Sequence, residues 1–153
     1  MSDGPTYAWL VLPPPISTNA LYVPTKTGGI TKSKDYRKWG HHADEYMMTQ
    51  RPLPIFVDPV AITIFAGEEW ARVKDSDNVP KAAIDVLTKE KVIKDDNKKR
   101  VRRSASVWVP GLEGLAIHVT TDVQDVSAER IMALLSQKQR EMVTPRKKLR
   151  VVG

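Results

Sequence analysis

Residues 59–66 read PVAITIFA, and this run limits the fold more than any other stretch. Val60, Ile62 and Ile64 alternate with Ala61, Thr63 and Phe65, so an extended chain here presents apolar groups to both sides. A strand of that kind belongs in the middle of a sheet, with both faces largely covered. The neighbouring segments supply the rest of such a fold. Tyr7–Leu12 (YAWLVL) reads as a short, nearly continuous apolar strand, ended by Pro13, Pro14 and Pro15. Proline donates no ladder hydrogen bond and holds φ fixed. Residues 16–30 read as a long loop, in which Gly28-Gly29 is the tip of a small hairpin between Leu21-Tyr22-Val23 and Ile30-Thr31.

Residues 33–50 predict a helix. Ser33 caps it, Asp35 sits in the first turn, and Tyr36, Trp39, Ala43, Tyr46 and Met47 recur at three- and four-residue spacing. Pro52 and Pro54 stop it. Residues 79–91 predict a second helix with Pro80 in its first turn, where a missing N–H costs little. Its expected core stripe is Ala83, Ile84 and Leu87, while Lys81, Asp85 and Thr88 continue another face from Asp77. Residues 102–110 and 115–121 read as strands joined through Gly111-Leu112-Glu113-Gly114. Residues 127–141 read as a third helix, capped by Ser127, with Ile131, Leu134 and Leu135 as its apolar face. The expected fold is α/β (α+β): a small mixed sheet with helices packed on it, in the order β-α-β-α-β-β plus a C-terminal helix. One domain is expected over residues 1–141, with a basic, flexible tail over 142–153.

No apolar run approaches the roughly 20 residues that span a bilayer, and the opening residues lack a basic leader with a long apolar segment. A cytoplasmic protein with no membrane partner is the expectation. Cysteine is absent, so thiolate metal sites and disulfides are excluded. The net charge is +6, and a basic balance favours polyanions. Residues 94–103 (KDDNKKRVRR) hold six of the basic residues and 138–150 another six.

The chemistry concentrates in residues 75–96, DSDNVPKAAIDVLTKEKVIKDD. Asp75 and Asp77 lie two residues apart and point the same way in extended chain. Their mutual repulsion is relieved by a divalent cation, and Asp95 or Asp96 supplies a third carboxylate. Such oxygen ligands suit a hard ion, Mg²⁺ or Mn²⁺. An ion so held polarises a phosphodiester and activates water. Lys81, four residues from Asp77, neutralises charge developing on phosphate. The bland alternative is that D-S-D-N is a turn-and-cap sequence on a solvated charged face.

The run Asp75-Ser76-Asp77-Asn78, then Lys81, Asp85, Leu87 and Asp95-Asp96, resembles the RusA family of Holliday junction resolvases. Leu12-Pro13-Pro14, followed by Asn19 and Tyr22, is similar to that family's proline-rich start. The resemblance covers about residues 7–122. It implies a homodimeric, Mg²⁺-dependent endonuclease, with Mn²⁺ as a substitute, that cuts four-way DNA junctions by paired symmetrical incisions. It implies catalytic roles for Asp75, Asp77, Asp96 and Lys81, with the three aspartates as metal ligands and Asp85 and Asp95 in support. Lys74, Lys98, Lys99, Arg100, Arg102, Arg103, Lys147 and Lys148 would contact DNA phosphates. The chain departs from the family pattern at Ala71–Lys74, which is less basic, at Pro80, and after Asp122. Two other readings stay open: a non-catalytic branched-DNA binding module, and a nuclease for flaps, forks or RNA.

Overall fold

The computed structural model describes residues 4–14, 21–67, 78–95, 97, 99–124 and 127–143. Its main sheet is built from β1 (Tyr7–Leu12), β4 (Val60–Gly67), β5 (Val101–Val109) and β6 (Leu115–Thr120). The strand order is β1-β6-β4-β5. β4 is internal, as its two-sided apolar sequence requires, pairing parallel with β5 and antiparallel with β6. A two-stranded hairpin, β2 (Tyr22–Pro24) with β3 (Ile30–Lys32), turns at Gly28, whose φ of 92° favours glycine. The helices are α1 (Lys34–Thr49), α2 (Asn78–Lys89) and α3 (Ala128–Val143). The arrangement is the mixed-sheet α+β fold expected, and the small hairpin expected around Gly28-Gly29 forms.

One face of the sheet carries Leu10, Leu12, Val60, Ile62, Ile64, Leu115, Ile117 and Val119, all buried against the helices. α1 contributes Tyr36, Trp39, Ala43 and Met47, and Ser33 caps it by accepting the Tyr36 N–H at 3.1 Å. Tyr46, expected in that stripe, is exposed because it falls on the rim of an arc centred on Ala43. α2 buries Val79, Ala82, Ala83, Val86 and Leu87, so its stripe is centred one step away from the expected one and Ile84 is only half-buried.

Among the described residues of the first unit, no helix lies on the other face of the sheet. Tyr7, Trp9 and Val11 of β1 point there and are 64%, 57% and 50% exposed. The near-continuous apolar β1 is therefore buried on one side only. The β5–β6 turn packs tightly on the end of β1: Gly114 has φ 79°, and a Cβ there would meet the Leu12 carbonyl at 3.1 Å. At Val11 the Gln50 side chain takes the place of a neighbouring strand. Its Oε1 accepts the Val11 N–H and its Nε2 donates to the Val11 carbonyl, both at 2.8 Å.

α2 returns along the sheet towards the entry of β4. The Phe56 N–H donates to the Val92 carbonyl at 2.8 Å, and Phe56 bridges Ile93. This is the crossover that a parallel β4–β5 pair needs. The chain divides into two units, residues 1–123 and 124–153. In the second, Ser127 Oγ accepts the Arg130 N–H at 3.2 Å and starts α3, whose Ile131, Leu134 and Leu135 are exposed. Among the described residues no helix is long and apolar enough to cross a membrane.

Candidate functional site

α2 carries the described part of the site. Lys81 lies in its first turn and is exposed. Its ammonium sits 4.8 Å from the centre of the Tyr22 ring, within cation–π range. One turn on, Asp85 Oδ2 accepts the Tyr22 hydroxyl at 3.2 Å and also the Tyr36 hydroxyl. The two tyrosine rings meet edge to face at 5.8 Å, and Lys32 Nζ lies 5.1 Å from the Tyr36 ring. Three elements thus converge on one carboxylate: the hairpin through Tyr22, the start of α1 through Tyr36, and α2. The hairpin is held to α1 by the Ser33 N–H donating to the Leu21 carbonyl at 2.7 Å. Burial, reinforced by the bond to Asp85, raises the Tyr36 hydroxyl well above the usual phenol range, so it remains a donor at any ordinary pH.

A second polar contact closes α1 on α2. Lys89 Nζ lies 2.8 Å from Asp44 Oδ2, and Arg51 3.6 Å from Glu90. Burial alone would raise the Asp44 carboxyl, but the Lys89 hydrogen bond and charge outweigh it and hold it below the usual carboxylate range. Between the helices lies a groove of about 210 Å³, with Lys32, Tyr36, His41, Asp44, Asp85 and Lys89 among its walls.

Asp95 stands apart from this cluster. It follows the far end of α2, and its Oδ2 accepts from Asn97 Nδ2 at 2.8 Å. The rise of ~1.5 Å per residue separates Lys81 from Lys89 by ~12 Å along the helix. Lys81 and Asp85 share one face of α2, while Asp95 follows after the helix has ended at Lys89. Asp75, Asp77, Asp96, Lys74, Lys98, Lys147 and Lys148 lie outside the described residues. Among the described residues no group of three His, Cys, Asp or Glu side chains is placed to hold a metal. The described carboxylates nearest the motif, Asp85 and Asp95, both accept hydrogen bonds from protein donors.

Of the basic residues expected to face phosphates, Lys99, Arg102 and Arg103 are exposed. Arg100 directs a guanidinium N–H to the Val57 carbonyl at 2.6 Å, and Arg103 one to the Val123 carbonyl at 2.8 Å. Both help to hold the ends of β4, β5 and β6 as well as carrying charge.

Two features were not singled out from sequence. The first is the pair of phenols on Asp85. A tyrosine in an apolar stripe must place its hydroxyl on an acceptor, which is the signal that pointed to it. The second is the uncovered face of the sheet, where Trp9 packs on His118 at 4.6 Å and on Phe65 at 5.7 Å between ring centres.

The family model described as endodeoxyribonuclease RusA matches residues 13–120, which takes in the hairpin, α1, β4, α2, β5 and β6. No individual curated protein matches the chain.

Proposed function

We propose, on the premise that this chain belongs to the RusA endodeoxyribonuclease family, that it is a Mg²⁺-dependent enzyme resolving Holliday junctions by paired, symmetrical phosphodiester hydrolysis. The family implies Holliday junction endonuclease activity and hence a branched-DNA partner. One observation carries the finer reading. Lys81 stands exposed in the first turn of α2, four residues after Asp77 in sequence, with its ammonium held over an aromatic ring. A cation held in place and open to solvent can neutralise charge on a phosphodiester under attack.

Asp75, Asp77 and Asp96 are the residues that would hold the ion. When bound, a divalent ion withdraws charge from the phosphate and lowers the pKa of attacking water. The chain's own contribution is to orient and neutralise. Lys81 faces a non-bridging phosphate oxygen, and Lys99, Arg102 and Arg103 approach the duplex arms as point charges and forks. Lys74, Lys98, Arg100, Lys147 and Lys148 complete the basic surface. Asp85 is occupied by phenols and supports the site from behind.

A junction offers two equivalent strands, so a two-fold dimer fits it. The uncovered sheet face supports that assembly. It presents Tyr7, Trp9, Val11, Phe65, His118 and Val107, with Arg103 on the same side of β5. A largely apolar, aromatic surface suits a second copy of itself, as two sheets stack about 10 Å apart. The protein would act in the cytoplasm of a bacterium or a phage-infected cell.

The test is incubation with a synthetic four-way junction and Mg²⁺, with mapped cut sites. Symmetrical paired nicks are expected from the wild type. Asp77→Asn should lower cleavage by at least about 100-fold while junction binding is retained. Equal activity in that variant would remove Asp77 from the mechanism. Tight binding with no cleavage in Mg²⁺ or Mn²⁺ would instead mark a branched-DNA binding module.

A further inference from the structure

An exposed lysine has a flexible four-carbon stem and samples many rotamers. Lys81 and Asp85 are four residues apart on one helix face, the spacing at which a direct ion pair forms by default. Among the described residues that pair does not form. Asp85 Oδ2 instead takes hydroxyls from Tyr22 at 3.2 Å and from Tyr36, and the Lys81 ammonium rests 4.8 Å from the Tyr22 ring. The phenols thus do two things. They occupy the carboxylate that would otherwise draw the ammonium down to the helix surface. They also present a π-face that favours a cation without cancelling its charge. Both tyrosines are fixed from elsewhere: Tyr22 by the paired strands β2 and β3, Tyr36 by its buried place in α1.

We infer that Tyr22 and Asp85 are positioning residues for phosphodiester cleavage, with Asp85 fixing the Tyr22 ring and that ring holding the Lys81 ammonium available to phosphate. The inference rests on the reading of Lys81 as the phosphate-facing cation. It gives Asp85 a role apart from metal ligation, since both phenols donate to its Oδ2.

The experiment uses the full chain with Tyr22→Leu, Tyr22→Phe, Asp85→Asn and Asp85→Ala. Cleavage is followed under single-turnover conditions, junction Kd with Ca²⁺ in place of Mg²⁺, and Mg²⁺ half-saturation by titration. The Lys81 methylene shifts are read by NMR, where stacking on an aromatic ring moves them upfield. Tyr22→Leu and Asp85→Ala should slow cleavage about ten- to a hundredfold, the scale of a ~1 Å misplacement, with junction Kd and Mg²⁺ half-saturation unchanged. Tyr22→Leu should also return the Lys81 shifts to random-coil values. Tyr22→Phe keeps the ring but loses the hydroxyl that Asp85 holds, so it should slow cleavage as Asp85→Ala does, whereas Asp85→Asn keeps an acceptor and should stay within about fivefold of wild type. If Tyr22→Leu does not fold, these two variants and Asp85→Ala are read by the same measurements. A tenfold rise in Mg²⁺ half-saturation for Asp85→Asn would make Asp85 a metal ligand and overturn the inference. So would an unchanged rate in Tyr22→Leu. If the wild type cleaves no junction, the nuclease reading fails separately and the NMR shifts decide whether Tyr22 holds Lys81: unchanged shifts in Tyr22→Leu overturn it.

Discussion

Trp9→Glu tests the two-fold assembly at its centre. Trp9 is 57% exposed on the uncovered face of the sheet. An indole side chain presents roughly 200–250 Å² when fully accessible, so roughly 115–140 Å² remains to be covered. At ~25 cal/mol per Å² that is ~3 kcal/mol for each copy. A two-fold interface counts the residue twice, giving ~6 kcal/mol, or about four orders of magnitude in dimer Kd. Glutamate adds the cost of burying a carboxylate, which pushes in the same direction. Within one protomer the substitution loses only the contacts with His118 and Phe65, at ~1 kcal/mol. The assay is sedimentation equilibrium over a wide concentration range, with circular dichroism and thermal melting to confirm that the variant folds. A folded variant with a dimer Kd weakened by at least about 10³ is expected. A folded variant that dimerises as tightly as the wild type would refute the assignment of this face.

Three other expectations follow from the same geometry. Leu87, fully buried in α2, should cost about 2–5 kcal/mol as Leu87→Ala, read as a lower urea midpoint at unchanged slope. Tyr36 has a folded-state pKa above its unfolded value of 10.0, so its contribution is complete below that pH and is lost as pH rises above it; the stability gap between wild type and Tyr36→Phe should hold constant below about pH 10 and narrow progressively above it in urea titrations. Arg102→Ala should weaken junction binding uniformly across sequences and reduce the slope of log Kd against log salt by about 0.9, measured by fluorescence anisotropy.

The fold was legible where one segment determines its own environment. β4 carries apolar groups on both sides, so a central position follows from eight residues alone. Ser33 announces the start of α1 because a hydroxyl there satisfies an orphan N–H. β1 could not be resolved the same way. YAWLVL is apolar at every position, and only the placement of the helices decides that Leu10 and Leu12 are buried while Tyr7, Trp9 and Val11 are not. The same holds for the site. Lys81 and Asp85 share a helix face by local spacing, and sequence shows that. The partners of Asp85 come from 63 and 49 residues away, and nothing local announces them. Arg100 read simply as a phosphate contact because its charge is visible in sequence, whereas the Val57 carbonyl it holds is 43 residues away.

The amide of Gln50 on Val11 bears on how copies of this protein can grow into larger objects. A sheet propagates into a fibre only if each copy offers two receptive borders, one to be joined and one to join. Here the β1 border is already satisfied at Val11 by a side chain that imitates a peptide group. The β5 border lies at the other end of the strand order. Two β5 strands meeting across a two-fold axis exhaust each other and leave nothing to extend. Border-to-border growth through β1 is therefore hindered at Val11, and Gln50→Ala would remove that hindrance and offer open-ended polymerisation a second border.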